Sequence, residues 1–248
     1  MQFLSRLPSD STFRQSEIPN LIQGLGPHLY SADMTAFTDT FPIELEKELV
    51  RLSFGAETSD LWELIISNRV FHHPKGGVKY AAGNPMGVLS SWPISTATHH
   101  AVKHYCAHLI HGSKKYKYLI LGDDSLDSCP LVYEKYIEVL SKLGVTTSLS
   151  KCTRSDSGYA EFAKRLFSPR GEITGLPVTL LEEVYTKPEQ FIELVRICRE
   201  RGYSDQSLIP GVGFLLERSK RPKLIADVLS LPQAITGAPP LLGANTGS

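Results

Sequence analysis

Four apolar residues, Tyr118-Leu119-Ile120-Leu121, run straight into Gly122-Asp123-Asp124, and no other segment limits the possible folds as much. The run reads as a buried strand, with Tyr116 as its start. Gly122 supplies the backbone freedom of a tight turn, and the chain returns from Ser125 as a partner strand. Alone, the tripeptide is weak evidence, because Asp and Gly are good turn formers on any surface. At the end of a buried strand, however, it sets two carboxylates at the edge of a sheet.

A third acid, Asp33, stands near the end of an earlier predicted strand over residues 28–34. Neighbours on a straight strand point to opposite faces. A tight turn relaxes that rule, so Asp123 and Asp124 can approach one place. If the two strands are adjacent, Asp33 meets Asp123 across the sheet. Such a cluster repels itself unless cations bind. Hard oxygen ligands suit Mg²⁺ or Mn²⁺, and two ions roughly 3.5–4 Å apart activate an attacking hydroxyl and stabilise a leaving phosphate oxygen.

The rest of the chain supplies helices and loops. The first thirty residues are broken by Pro8, Pro19, Gly24, Gly26 and Pro27. Pro42 opens a helix whose Leu45, Leu49 and Leu52 share a face, and a second helix is predicted over 61–67. Gly76-Gly77 and the loop Gly83-Asn84-Pro85-Met86-Gly87 flank a short segment. A long helix follows over 90–111 with Pro93 in its first turn. Residues 131–143 form a helix stopped by Gly144, and 145–149 a strand. Residues 161–167 are short and mixed, and Gly171 and Pro177 punctuate a further strand pair. Helices are predicted over 188–201 and 223–231, and a poorly ordered tail over 232–248. This order suits an α+β domain, an antiparallel sheet with helices packed on one face.

The 26 basic and 26 acidic residues give zero formal charge, which does not suit a uniformly basic RNA-binding module. An acidic cleft walled by basic segments is compatible with it. Cys106, Cys129, Cys152 and Cys198 form no CxxC pair and read as buried thiols of a reducing compartment. No apolar run is long enough to span a bilayer. Arg6 and Arg14 hint at a transit peptide, but Asp10 and Glu17 weaken it. His100, His104, His108 and His111 share one helix face; we read them as a polar face lining a groove and assign no zinc.

The segment Tyr30-Ser31-Ala32-Asp33-Met34-Thr35-Ala36-Phe37-Thr38-Asp39-Thr40-Phe41-Pro42 resembles motif A of the mitovirus RNA-dependent RNA polymerases. Gly83 to Trp92, with Thr98-His99-His100 beyond, resembles their motif B, and Tyr118 to Asp124 their motif C. Leu143-Gly144-Val145, Ser148 and Ser150-Lys151 resemble motif D, and Glu161-Phe162-Ala163-Lys164-Arg165 the next block. Leu7 to Gln15 is similar to the stretch before motif A. The blocks occur in family order over nearly the whole chain.

This resemblance implies a right-hand polymerase palm over 28–185, a segment leading into it over 1–27, and a partial helical thumb over 186–231. It implies RNA-directed RNA synthesis with RNA template and product and NTPs as partners, in a host mitochondrion, with the cytoplasm as the alternative. Asp33 and Asp123 would hold two metal ions, with Asp124 assisting. Asp39 would favour a ribose 2′-OH; the competing reading is a helix N-cap before Pro42. The Gly83–Gly87 loop would flex against template and substrate. Ser90 and Ser91 would set hydroxyls near the nucleotide, or else cap the helix. Lys151 would donate a proton to pyrophosphate, and Lys164 and Arg165 would touch the RNA backbone. The family's fingers are expected upstream of this sequence. Two positions depart from the family pattern: Thr40 stands where Arg is usual, and Ser11 where Gly is usual. The alternatives are a non-catalytic, virus-derived relic that binds RNA, and an unrelated phosphatase or nucleotidyltransferase using the same acids.

Overall fold

The computed structural model describes residues 3–148, 151–175, 177–187, 190–201, 203 and 223. The chain divides into two compact units, Met1–Glu172 and Ile173–Ser248. In chain order the first contains α1 (Ile18–Gln23), β1 (Leu29–Asp33), α2 (Phe37–Thr40), α3 (Ile43–Phe54), α4 (Ala56–Ile66), β2 (Phe71–His73), β3 (Gly76–Val78), α5 (Ser91–His111), β4 (Tyr118–Leu121), β5 (Asp124–Asp127), α6 (Pro130–Lys142), β6 (Arg154–Ser155), β7 (Ala160–Phe162), β8 (Arg165–Ser168) and β9 (Gly171–Glu172). The second contains α7 (Val178–Thr186) and α8 (Gln190–Glu200), which pack on each other. The expected helix over 223–231, apart from Lys223, and the expected tail over 232–248 lie outside the described residues.

The central sheet has the order β4-β5-β1-β6, antiparallel throughout. Its strands are short, so side-chain alternation sorts them cleanly between two layers. Tyr30, Ala32 and Met34 face a core built with Val102 and Cys106 of α5 and Val132, Tyr133, Tyr136 and Leu140 of α6. Leu29, Leu119 and Leu126 face the opposite way, onto Ile18 and Ile22 of α1 and Ala160, Phe162 and Phe167 of β7 and β8. The first face is the expected helical layer. The second is covered by a short helix and by the three-stranded sheet β7-β8-β9.

Several expectations shift in detail. The loop-rich start contains α1, with Pro19 in its first turn. The buried side of α3 is Glu46 and Val50, whereas Leu52 is 71% exposed. On that side the Glu46 carboxylate accepts hydrogen bonds from Asn84 and Ser95, while Leu45 still packs against the core. Residues 71–78 form the β2–β3 hairpin. Residues 145–148 make no full strand. They lie along the end of β1 through Thr35 N–H to Thr146 O (2.8 Å) and Ser148 N–H to Asp33 O (2.9 Å), and Leu149 and Ser150 lie outside the described residues. Gly171 opens β9, which pairs back onto β8, and Pro177 precedes a helix, not a strand.

Candidate active site

Strands β1 and β5 bring Asp33 directly opposite Asp124. Asp33 lies four residues after Leu29 and Asp124 two before Leu126, so alternation puts both carboxylates on the face that meets β7 and β8. Asp123 was expected to be the cross-strand partner. The β4–β5 loop holds only Gly122 and Asp123, so Leu121 pairs with Asp124 and Asp123 sits in the turn itself. Gly122 takes φ +61°, the left-handed conformation that the first position of such a loop favours.

The ionisation of Asp123 and of Asp124 is depressed at this site. Burial raises the Asp123 pKa, and the Asp33 charge raises it further. Asp124 is pushed up to about 7 by burial, by the charges of Asp123 and Asp33, and by a hydrogen bond to Asp33. The counter-charges come from Lys151, whose Nζ lies 3.1 Å from Asp33 Oδ2, and from Lys164, which acts on Asp123. Asp33, Asp124, Lys151, Lys164 and Glu161 border a cleft of about 90 Å³. Lys164 reaches it from the β7–β8 turn, where Ala163 and Lys164 both adopt positive φ (55° and 59°). For L-residues this conformation costs about 1–2 kcal/mol each, strain of the kind found at functional sites.

Three acids against two ammonium groups leave negative charge uncompensated in a half-buried place. That oxygen-only donor set fits a divalent cation. Among the described residues no three His, Cys, Asp or Glu side chains are already gathered into a metal cluster, and one Asp33 oxygen is directed at Lys151.

The loop expected to flex is half anchored. Gly83, Asn84 and Pro85 are buried, while Met86 and Gly87 are exposed. A Cβ at Gly83 would overlap the Thr38 carbonyl and the Asp39 backbone, and Asn84 N–H donates to Thr38 O at 2.7 Å. Glycine is required there by close approach, and at Gly87 by φ +87°. Ser91 is buried and its hydroxyl donates to Pro85 O (2.8 Å). Ser90 Oγ accepts from Trp62 Nε1 (3.2 Å), and neither serine makes a side-chain cap on α5. Asp39 is exposed within α2, and Pro42 occupies the N-cap of α3, so the capping alternative for Asp39 fails. Thr40, the departure from Arg, donates to Ala36 O (3.0 Å), closing the left-handed turn at Ala36 (φ 49°). Arg165 is engaged by both carboxylate oxygens of Glu172 and by Gln15 O.

Sequence reasoning missed the buried supports beneath the turn. His99 Nδ1 lies 2.8 Å from Gly122 O and its Nε2 2.6 Å from the Tyr136 hydroxyl. Burial holds the His99 pKa well down, so the ring is neutral, donating to Gly122 O and accepting from Tyr136. One helical turn on, buried Lys103 pairs with Asp127 (2.7 Å), and its ammonium lies 3.1 Å from the Tyr136 ring centre. Trp92 packs against Gly122 where a Cβ would be. Helix α5 thus holds the β4–β5 hairpin at its turn and along β5. The only sequence signal was the polarity of residues 98–104 within a helix destined for the core. His100 is likewise buried, bonded to Tyr118 and Asp10. His104 and His108 line a separate groove of about 830 Å³ at the other end of β4.

Solved structures share this architecture. An RNA-dependent RNA polymerase of a human picobirnavirus, as an insertion-loop deletion mutant, superposes with TM-score 0.62 at 13% identity, over 86% of this chain and 48% of that one. The fold is therefore the α+β polymerase fold. The family model for mitovirus RNA-dependent RNA polymerase matches residues 1–227, and the chain belongs to that family. It is 31% identical over 170 residues to the RNA-directed RNA polymerase of Cryphonectria parasitica mitovirus 1, covering 66% of this chain and 21% of that protein. It is 30% identical to two uncharacterized mitochondrial proteins of Arabidopsis thaliana, covering 59% and 67% of this chain and 76% and 70% of theirs. The chain thus spans about a fifth of the viral relative. No helix among the described residues is long and apolar enough to cross a membrane.

Proposed function

We propose that this chain carries the palm of an RNA-directed RNA polymerase and performs template-directed nucleotidyl transfer. An RNA 3′-hydroxyl attacks the α-phosphate of an NTP; the new P–O bond forms as the bond to pyrophosphate breaks. The observation that carries this reading is Asp33 opposite Asp124, with Asp123 in the adjoining turn. These three carboxylates would hold Mg²⁺ or Mn²⁺, two ions in the full reaction, whose positive charge would activate the hydroxyl and stabilise the leaving oxygen. Lys151, an exposed ammonium on the rim of the same cleft, would donate a proton to pyrophosphate. Asp39, exposed on α2, would meet the ribose. Lys164 would contact phosphate. We assign the palm to 28–185 and a partial thumb to 186–231, and infer action in a mitochondrion, since both Arabidopsis relatives are mitochondrial proteins.

The test is incorporation of labelled NTP on an RNA template with Mg²⁺ or Mn²⁺, with Asp123→Ala alongside. The expected result is template-dependent incorporation lost in the variant; equal incorporation by both overturns the mechanism. The relic reading draws on the Thr40 departure, and salt-dependent RNA binding without incorporation would favour it. Template-independent hydrolysis of a phosphoester would favour the unrelated-enzyme reading.

A further inference from the structure

Helix α3 buries a carboxylate, Glu46, beside Val50. Glu46 is fully buried, as are Asn84 and Ser95. Asn84 Nδ2 donates to Glu46 Oε2 (2.6 Å) and to Ser95 Oγ (2.9 Å), and Ser95 Oγ–H donates to Glu46 Oε1. The three groups close a triangle among α3, α5 and the Gly83–Gly87 loop. Asn84 Oδ1 is buried with no hydrogen-bond partner, so the side chain is held by its amide hydrogens alone. The backbone of the same residue donates to Thr38 O, and Gly83 lies against the Thr38–Asp39 peptide. The Ala82 carbonyl accepts from Ile43 N–H (2.9 Å), a second tie between this loop and the start of α3.

An interior carboxylate is costly to keep, and hydrophobic replacement is often neutral or stabilising. Burying one here has a geometric consequence instead. It fixes Asn84, and Asn84 fixes the peptide that carries Asp39. We propose that Glu46 is a positioning residue: it latches the Gly83–Gly87 loop through Asn84 and thereby sets the pose of Asp39, which governs discrimination between ribo- and deoxyribonucleotides. The ribose half rests on the polymerase reading above; the latch does not. Neither Glu46 nor Asn84 touches the three acids, so loss of the latch alters selection and leaves the cation site in place.

Two measurements separate these halves. Hydrogen exchange over residues 82–88 reads the latch without catalysis. Glu46→Ala is expected to raise exchange of the Asn84 amide at least about tenfold, while Glu46→Gln, which keeps one acceptor and adds a donor for Asn84 Oδ1, stays within about threefold of wild type. Should Glu46→Ala fail to fold, Ser95→Ala removes two sides of the triangle, leaves the Asn84–Glu46 bond, and is expected to raise exchange about threefold. Wild-type exchange in a folded Glu46→Ala or Ser95→Ala protein overturns the latch. For the ribose half, the ratio of kcat/KM for an rNTP over its dNTP is expected to fall about tenfold in Glu46→Ala and to recover in Glu46→Gln. An unchanged ratio with a loosened loop overturns that half. A wild-type chain that incorporates nothing overturns the polymerase reading and the ribose half with it, while exchange still decides the latch.

Discussion

Asp33 and Asp124 face each other across the β1–β5 ladder, two carboxylates at directly paired positions that become like charges once the pH exceeds the Asp124 pKa of about 7. Such pairs have Cβ atoms about 4.5–5.5 Å apart and destabilise a sheet. The arrangement therefore costs stability until a cation binds. Above pH 7, where Asp124 is ionised, Asp124→Asn removes one of the charges and is expected to raise the melting temperature in EDTA by a few degrees. The same variant is expected to lose most of the further rise that Mg²⁺ or Mn²⁺ gives the wild type. Thermal denaturation with and without divalent ions checks this. A variant less stable than wild type in EDTA, with an undiminished metal response, would remove Asp124 from the cluster.

Gly122 is constrained twice, by its positive φ and by Trp92 packed where a side chain would begin. Gly122→Ala combines a left-handed alanine, about 1–2 kcal/mol, with displacement of the indole. A loss of about 2–4 kcal/mol in urea unfolding is expected, and Trp92→Leu in the same chain should restore part of it. If the double variant is no better than Gly122→Ala alone, the clash with Trp92 is not the cause.

Much of this site could be read in the chain. The apolar run before Gly122-Asp123-Asp124 specified a buried strand and turn, and the isolated Asp33 near the end of another strand specified its partner. What escaped was set by tertiary register and burial. Whether Asp123 or Asp124 faces Asp33 depends on a two-residue loop, one residue either way. Leu45, Leu49 and Leu52 gave α3 a plausible apolar stripe, but the side that is buried carries Glu46, satisfied by hydrogen bonds from residues far away in sequence. Lys103 and Asp127 are 24 residues apart, and nothing local marks them as a buried pair. Ser90 and Arg165 look available in sequence and are engaged by Trp62 and Glu172 in the fold.

Lys103 and Asp127 are both fully buried and bonded to each other. Removing one partner leaves a buried charge uncompensated, so Lys103→Met is expected to cost about 3–5 kcal/mol. Lys103→Met with Asp127→Asn should cost less than Lys103→Met alone. Urea unfolding of the single and double variants forms a cycle; additive losses would show that the ammonium and the carboxylate are not coupled.

Ser11 is fully buried, and its hydroxyl has no hydrogen-bond partner. The backbone N–H is used, donating to Ile120 O (2.9 Å). An unmatched buried hydroxyl costs about 1–3 kcal/mol. Ser11→Ala keeps the backbone bond and is expected to stabilise the chain by about 1 kcal/mol, seen as a higher urea midpoint at unchanged slope. A lower midpoint would mean that the hydroxyl has a role that its surroundings do not reveal.

Glu46 gives the fold a pH dependence of known sign. Burial raises its pKa to about 7, outweighing the hydrogen bonds from Ser95 and Asn84, which favour the charged form. The folded chain therefore holds this proton to higher pH than the unfolded chain does. The stability it confers is fully present below the ordinary carboxyl range and is lost as pH rises through about 7. The whole change amounts to roughly 3 kcal/mol. Glu46→Gln carries no such charge, so it is expected to unfold at a higher temperature than wild type at pH 8 and at nearly the same temperature at pH 5. Melting curves across that interval decide the matter: a difference between the two proteins that does not change with pH would mean that Glu46 keeps the same charge from pH 5 to pH 8.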